Sequence, residues 1–156
     1  MKSLYLDSSI PSAYYEKAQP DRLKITQKWW RENIHCYKVF TSELAQEEIE
    51  ALKQEKKREL ILCLISNFPK LKITDTIYKV AREYVEEGII PASVFNDALH
   101  LAIASIYEIQ IFLTWNFAHI VNREVERKLR AFNLISGFPY VHITTPAKLI
   151  REAKGE

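Results

Sequence analysis

Glycine and cysteine are scarce in this chain of 156 residues, which contains three glycines and two cysteines. The sequence holds no phosphate-binding loop and no dinucleotide-binding fingerprint, both of which need glycines where the backbone closely approaches a phosphate. The cysteines, Cys36 and Cys63, match no zinc-binding or redox spacing with each other or with the four histidines. These nucleotide-binding motifs, zinc sites and dithiol chemistry are therefore disfavoured.

Long apolar runs are also missing, and the first residues show no signal-peptide pattern. Cys36 and Cys63 both lie in apolar settings, which predicts buried free thiols of the kind that a reducing cytoplasm maintains. We therefore expect a cytoplasmic protein that does not enter a membrane.

The chain carries little excess charge of either sign, with a formal net charge of +2 at pH 7. This balance argues against a strong overall attraction to nucleic acid but leaves room for a local basic patch. Apolar residues make up 47% of the chain and charged residues 27%, which is ordinary for a soluble globular domain. We expect residues 1–156 to form a single domain with a substantial core.

Short apolar or β-branched segments alternate with helix-like segments along the chain. Strands are predicted at 3–6, 38–41, 71–74, 111–114 and 140–144. Helices are predicted at 10–15, 21–33, 43–50, 60–68, 75–87, 94–107 and 123–132, with 53–58 as a solvated charged stretch. Ser8 or Ser9 and then Ser42 are expected to cap helices, and Gly88 to end one. The alternation predicts an α/β fold with a parallel sheet covered on both faces.

Polar residues follow three of the predicted strands. Asp7 comes after the first strand, Ser42 after the second and Asn116 after the fourth, while Asp97 lies in the first turn of a helix. Because the carboxyl ends of parallel strands meet at one edge of a sheet, we expect these segments to converge there.

Carboxylates that are gathered in one place raise one another's pKa, and a divalent cation removes that conflict. Mg²⁺ and Mn²⁺ prefer oxygen ligands, keep several waters and need only one or two carboxylates. Asp7 and Asp97 are the best ligand candidates, and a glutamate after Ser42 is a candidate to hold a water. Asn116 is suited to orient a water or a phosphate without adding charge. The pattern predicts a site for phosphodiester hydrolysis.

Each of these residues also has a purely structural interpretation. An Asp at a strand end or in a first helical turn is often a cap, and the glutamates suit a solvated helix face. His100 is either a hydrogen-bonded core residue or a support for the acids, and His119 either lies on the surface or meets phosphate. Trp29, Trp30 and Trp115 either stack on bases or belong to the core.

Four segments taken together resemble the PIN-domain proteins, and specifically the small VapC-like toxin ribonucleases of prokaryotic toxin–antitoxin pairs. The segments are 4–9, Ser42 with the glutamate-rich stretch after it, 96–104 and 112–116. The resemblance covers nearly the whole chain. It implies a PIN-like three-layer α/β/α domain with a central parallel sheet of about five strands, and a metal-dependent endoribonuclease whose acidic pocket binds Mg²⁺ or Mn²⁺.

The resemblance also assigns residues to this pocket. Asp7 takes the place of the first acid and Asp97 that of the third. The second acid falls on Glu48 by its spacing from Ser42 and its apolar successor Ile49, with Glu43 and Glu47 as alternatives. The accessory candidates are Ser9, Glu43, Glu47, Thr114 and His119.

The chain departs from the family at Asn116, where the family often has Asp. The pocket then holds one fewer charge, which puts a second metal in question and leaves Asp7, Glu48 and Asp97 for the first. In the family, an antitoxin protein covers the site and toxin subunits form homodimers. The resemblance implies both partners for this chain.

We therefore expect a metal-dependent ribonuclease in which Asp7, Glu48, Asp97 and Asn116 carry the cleavage of RNA by an activated water. The alternative is a catalytically weak or inactive nucleic-acid- or protein-binding module of the same fold, which Asn116 and the modest net charge motivate. A third hypothesis is a hydrolase of phosphomonoesters, because the same metal chemistry serves them.

Overall fold

Five parallel strands form the central sheet of the computed structural model, which describes residues 1–155. The strands are β1 (Ser3–Leu6), β2 (Lys38–Ser42), β3 (Lys70–Leu71), β4 (Ile111–Leu113) and β5 (His142–Thr144). The helices are α1 (Ser9–Tyr14), α2 (Pro20–Asn33), α3 (Glu43–Glu50), α4 (Glu55–Leu64), α5 (Asp75–Glu86), α6 (Phe95–Ile106), α7 (Arg123–Ser136) and α8 (Pro146–Ala153). The predicted parallel sheet of about five strands is confirmed.

β1 occupies the centre of the sheet, whose strand order is β3-β2-β1-β4-β5. Leu4, Tyr5 and Leu6 are all fully buried, because helices cover both faces of the sheet. The chain moves outward from β1 to β3 on one side and from β4 to β5 on the other. The direction of winding therefore reverses between β1 and β4, where parallel sheets form a crevice beyond their carboxyl ends.

Successive side chains of each strand point to opposite sides of the sheet and join two apolar clusters. On one side, Tyr5 and Phe112 belong to a cluster with residues of α5 and α6. On the other side, Leu4 and Leu6 belong to a cluster with Trp29 of α2. The expected three-layer α/β/α arrangement is confirmed.

Hydroxyl and amide side chains cap several helices. The capping bonds run to Ser42 from Ala45, to Thr74 from Ile77, to Asn122 from Val125 and to Thr145 from Lys148. The predicted cap at Ser42 is thus confirmed. Ser8 stands at the N-cap position of α1 without a side-chain capping bond. Gly88 follows α5 with φ of +73°, the left-handed conformation that lets glycine end a helix, as predicted.

Several element boundaries differ from the prediction. α4 begins at Glu55, so the charged stretch at 53–58 is largely helical, and the helix ends at Leu64 instead of continuing to 68. β3 has two residues, because Thr74 caps α5 and does not extend the strand. α7 continues to Ser136, and β5 begins at His142. The prediction also omits α8, although Thr145 and Pro146 form the kind of helix start used as a signal elsewhere in the chain.

The prediction of buried thiols is wrong, because Cys36 and Cys63 are both exposed. Cys63 lies two positions from the buried Ile61 and Ile65, and a residue two positions away points to the opposite side of a helix. Cys36 ends a short 3₁₀ turn at the surface. The cytoplasmic location, inferred in part from these thiols, stays a prediction. No helix within residues 1–155 has the length and apolar character needed to cross a membrane.

Candidate active site

The crevice beyond β1 and β4 collects the predicted site residues. Asp7 follows β1, Glu48 lies on α3, Asp97 lies in the first turn of α6, and Asn116 follows β4. All four line one cavity of about 500 Å³. Residues from distant parts of the sequence meet here because the strands are parallel and end at the same edge.

Asp7 is almost fully buried, and two hydroxyl side chains hold its carboxylate. Ser9 donates to Oδ1 through its backbone N–H (3.1 Å) and its hydroxyl (2.5 Å), and the Thr114 hydroxyl donates to Oδ2 (2.5 Å). The same hydroxyls accept the backbone N–H groups of Trp115 (2.9 Å) and Asn116 (3.0 Å). Asp7 therefore ties the segments after β1 and β4 together.

Burial raises the pKa of Asp7 above its ordinary value. The charge of His100 and the hydroxyls of Ser9 and Thr114 oppose this shift, while the charge of Glu48 adds to it. The ionised carboxylate is thus unfavourable in this setting, and a nearby cation would relieve it.

Among the glutamates proposed for the second acid, Glu48 faces the cavity. Glu43 and Glu47 are exposed on α3, whereas Glu48 follows the buried Leu44 and Ala45 by one turn. Its Oε1 lies 2.6 Å from His100 Nε2, and its Oε2 accepts a hydrogen bond of 3.4 Å from Asn96. The geometry therefore favours Glu48 over Glu43 and Glu47 as the acid of the site.

A chain of buried polar groups supports Glu48. The Tyr5 hydroxyl lies 2.6 Å from His100 Nδ1 and 2.7 Å from Ser42 Oγ. An ionised Glu48 can only accept, so His100 Nε2 donates to it, and Nδ1 shares a hydrogen bond with the Tyr5 hydroxyl. Ser42 Oγ also accepts the Ala45 N–H, which links this series of polar groups to the start of α3. His100 is thus both a hydrogen-bonded core residue and a direct support for an acid.

These hydrogen-bonded side chains determine how readily Glu48 ionises. Burial opposes its ionisation, but the hydrogen bond and charge from His100, with hydrogen bonds from Ser8 and Asn96, hold its pKa below the ordinary value. Burial also raises the pKa of Tyr5 well above its usual range, so its hydroxyl keeps its proton. Among Asp7, Glu48 and Asp97, Glu48 is therefore the most readily ionised.

Asp97 lies between an amide and an imidazole. His119 Nδ1 is 3.3 Å from Asp97 Oδ2, and Asn116 Oδ1 accepts the backbone N–H of His119 (3.0 Å). Burial raises the pKa of Asp97, and a hydrogen bond from the Asn116 side chain is the largest opposing influence. An acid at position 116 would add a negative charge beside Asp97, whereas the amide donates a hydrogen bond to it.

The donor set fits a hard divalent cation, although it does not form a closed cage. Asp7, Glu48 and Asp97 supply carboxylate oxygens, and the charge of Glu48 raises the pKa of both aspartates. Within residues 1–155, no three acidic, histidine or cysteine side chains are grouped so as to hold an ion among them. Since Mg²⁺ and Mn²⁺ keep several waters and need one or two carboxylates, the arrangement suits a water-rich site.

Sequence reasoning missed part of the cavity wall. Arg22 and Phe117 line it, together with Glu16 and Gln19. Phe117 adjoins Asn116 and was within reach of a sequence argument. Arg22 lies on α2, away from every motif, so its position depends on how that helix packs.

The family model of the PIN domain matches residues 4–120. The chain therefore belongs to the PIN domain family. The matched range contains Asp7, Glu48, Asp97 and Asn116. No curated protein sequence matches the chain.

Solved structures share the fold with this chain, including VapC20 and a chain of VapBC2. VapC20 of Mycobacterium tuberculosis, described as a Sarcin-Ricin loop cleaving toxin, has a TM-score of 0.58 and 16% identity, covering 89% of this chain and 98% of that chain. A chain in the crystal structure of VapBC2 from Rickettsia felis, bound to a DNA fragment from their promoter, has a TM-score of 0.53 and 12% identity, covering 91% and 97%. At these identities, the likeness establishes the fold.

Proposed function

We propose that this protein is a Mg²⁺- or Mn²⁺-dependent endoribonuclease and the toxin of a toxin–antitoxin pair. The observation that carries the proposal is the convergence of Asp7, Glu48 and Asp97, from three distant parts of the chain, on one cavity where the sheet reverses its winding. Membership of the PIN family supports it, since PIN nucleases generally use divalent metals. The description of VapC20 as a toxin that cleaves the Sarcin-Ricin loop supports RNA as the substrate class.

The cavity residues would have two roles, cation binding and the positioning of a cation ligand. Asp7, Glu48 and Asp97 would hold the cation together with several bound waters, and the cation when bound supplies Lewis acidity and offsets the charge of the phosphodiester. Ser9 and Thr114 fix the orientation of Asp7 through their hydrogen bonds to its two oxygens. As a result, the carboxylate is positioned before any substrate enters.

The segment after β4 would handle the substrate. Asn116 is uncharged, so it orients the attacking water or a phosphate oxygen without repelling either. His119 Nδ1 lies 3.3 Å from Asp97 Oδ2, so a phosphate oxygen bound beside Asp97 would be within its reach. The water would attack the phosphodiester in line with the leaving oxygen.

Asp97→Asn tests the proposal through cleavage of labelled RNA in Mg²⁺ or Mn²⁺. We expect a loss of activity of about a hundredfold or more, because a cation ligand is removed while the helix keeps its fold. Asp75→Asn is the matched control, since Asp75 is also an acid in a first helical turn but is exposed on α5. Undiminished cleavage by the Asp97 variant would contradict the assignment of Asp97 as a cation ligand. A small phosphate ester assayed in parallel tests the phosphomonoesterase hypothesis.

A second candidate function is a catalytically weak or inactive nucleic-acid- or protein-binding module. Asn116 favours it, and so do the hydrogen bonds that engage the oxygens of Asp7 and Glu48 within the protein. Calorimetric titration with Mn²⁺ separates the two functions. Binding of Mn²⁺ that Asp97→Asn weakens supports the nuclease, and the absence of Mn²⁺ binding supports the module.

We also propose a small antitoxin protein as a partner and a homodimer of this chain in the cytoplasm. The fold likeness to a chain of VapBC2 supports the first. Co-purification with the product of a small adjacent reading frame tests the antitoxin. Sedimentation velocity of the purified chain tests the homodimer, and a single monomeric species at micromolar concentration would contradict it.

A further inference from the structure

Arg22, Trp115 and Phe117, which we call the rim cluster, form one edge of the cavity. The guanidinium carbon of Arg22 lies 5.5 Å from the centre of the Trp115 ring and 5.4 Å from the centre of the Phe117 ring. All three side chains line the same cavity as Asp7, Glu48 and Asp97. An arginine that lies over aromatic rings is attracted by them and restricted in its motion, so its position is defined before a ligand arrives.

Hydrogen bonds anchor the rim cluster to α2 and to the site. Trp115 is buried, and its Nε1 donates to Thr26 Oγ1 (2.9 Å). Thr26 Oγ1 in turn donates to the backbone carbonyl of Arg22 (2.6 Å), one turn earlier on the helix. The Trp115 backbone N–H donates to Ser9 Oγ, which also binds Asp7. The cluster is therefore held at a defined place relative to the acids.

Within residues 1–155, no carboxylate pairs with the positive charge of Arg22. Arg22 is the one lysine or arginine that lines this cavity among residues 1–155. None of the ion pairs found in the same residues includes it, and Glu16, which also lines the cavity, pairs with Lys57. Because the rings and not a carboxylate hold the guanidinium, its N–H donors stay available for an anion. The planar fork of these donors suits phosphate oxygens.

Phe117 offers an apolar surface beside this cation. Although it is a large aromatic residue, 47% of it is exposed at the cavity mouth. Trp115 is 6% exposed and serves as the buried platform. Exposed aromatic rings next to cationic groups bind unpaired bases by stacking, with little dependence on base identity.

We propose that the rim cluster binds a nucleotide that flanks the scissile phosphodiester of single-stranded RNA. Arg22 binds its phosphate and Phe117 stacks on its base. This inference rests on the proposed function, because it takes RNA as the ligand of the cavity. A base inside a duplex is stacked on its neighbours and cannot reach Phe117, so the cluster selects loops, bulges and ends. Arg22 also offsets the repulsion between the acids and the incoming phosphates.

Fluorescence anisotropy with a labelled single-stranded RNA, and with a duplex of the same sequence, tests the rim cluster in EDTA. Phe117→Ala is expected to weaken single-strand binding by about tenfold and duplex binding much less. Arg22→Gln is expected to lower the slope of log Kd against log salt concentration by about one. Arg22→Lys keeps the charge, so it should keep that slope.

Arg130 and Tyr140 provide the matched control. The Arg130 guanidinium lies 4.8 Å from the Tyr140 ring centre, and Tyr140 is 57% exposed, but the pair borders a different surface pocket beside α7. Arg130→Gln and Tyr140→Ala are expected to leave single-strand affinity unchanged. Equal losses in the control and rim variants would overturn the proposal, as would a wild-type protein that does not bind RNA.

Steady-state cleavage in Mg²⁺ separates this inference from the proposed function. The rim variants are expected to raise KM by about tenfold with kcat within about twofold of the wild type. Cleavage by the wild type with unchanged affinity and KM in the rim variants overturns the inference and supports the nuclease. Affinity that depends on Arg22 and Phe117, without any cleavage by the wild type, supports the inference and overturns the nuclease.

Discussion

Asp7 is a residue of the candidate site whose buried carboxylate suits a cation but lowers the stability of the fold when it is ionised without one. Its carboxylate is satisfied by Ser9 and Thr114, yet burial raises its pKa and the charge of Glu48 adds to the shift. A group whose pKa is higher in the folded than in the unfolded protein stabilises the fold at low pH. That contribution is lost as the pH rises through the folded value. Without a cation, ionised Asp7 is therefore a cost to the fold at neutral pH.

Asp7→Asn is expected to raise the free energy of unfolding at about pH 7 in EDTA, with the difference shrinking as the pH falls and vanishing below about pH 4, where Asp7 is protonated in both the folded and the unfolded protein. The amide keeps an oxygen for the two bonds from Ser9 and carries no charge. Urea denaturation at the two pH values measures the effect. Mn²⁺ at a hundred times its Kd should stabilise the wild type by about 2.7 kcal/mol and the variant much less. A variant less stable than the wild type at neutral pH would contradict the argument.

Substitutions of Tyr5 and Tyr84 distinguish a residue that supports the candidate site from one that supports only the core. Both are fully buried, and the Tyr84 hydroxyl bonds to Ser105 (3.0 Å) and Asn133 (2.8 Å), whereas that of Tyr5 bonds to His100. Tyr5→Phe and Tyr84→Phe should each cost about 1–2 kcal/mol in urea denaturation.

Tyr5→Phe alone is expected to weaken Mn²⁺ binding, by about tenfold, because His100 then loses the partner that orients it toward Glu48. Titration calorimetry of both variants measures this difference. If Tyr84→Phe weakened Mn²⁺ binding as much as Tyr5→Phe, the specific role of the Tyr5–His100 chain would be refuted.

At the scale of elements, helix starts place the acids. Ser42 ends β2 and caps α3, so the beginning of α3 is set relative to the sheet edge. Glu48 then reaches the cavity about one and a half turns later. Asp97 lies in the first turn of α6, where the helix N-terminus favours a negative charge. The capping signal that locates α3 is visible in the sequence, whereas α6 begins after Val94 without a side-chain cap.

Elements were mispredicted where one residue suited two local structures. The β-branched Thr74 fits a strand, but its hydroxyl accepts the Ile77 N–H and begins α5. The polar stretch before Leu60 fits a loop, but Glu55 begins α4 and Lys57 pairs with Glu16 of another segment. In both cases hydrophobic periodicity did not distinguish the alternatives, and a hydrogen bond or an ion pair accompanies the observed structure.

At the scale of the whole molecule, one sheet joins two apolar layers. The same strand β1 contributes Tyr5 to one cluster and Leu4 and Leu6 to the other. If one helical layer unfolded alone, the apolar face of the sheet that it covers would be exposed to water. The other layer packs against the opposite face of the same sheet and would lose its support if the sheet then unfolded. The two layers are therefore expected to unfold together.

A single cooperative transition is the expected outcome of thermal or urea unfolding, in agreement with the prediction of one domain over residues 1–156. Far-UV circular dichroism follows the helices of both layers, whereas Trp29 and Trp115 report on the α2 side. The midpoints from circular dichroism and tryptophan fluorescence should coincide. Two separate midpoints would contradict the single-domain prediction.

The sequence by itself determined the alternation of strands and helices, the parallel sheet and the PIN family resemblance, because strand composition, capping residues and strand-end acids are local features. The spacing from Ser42 favoured Glu48 over Glu43 and Glu47, and the tertiary structure shows that Glu48 faces the cavity. Only the tertiary structure decided that Arg22 meets Phe117 at the rim of the cavity. It also decided that both cysteines are exposed. These outcomes depend on the rotation of each helix about its axis and on packing between distant segments, which no local pattern specifies.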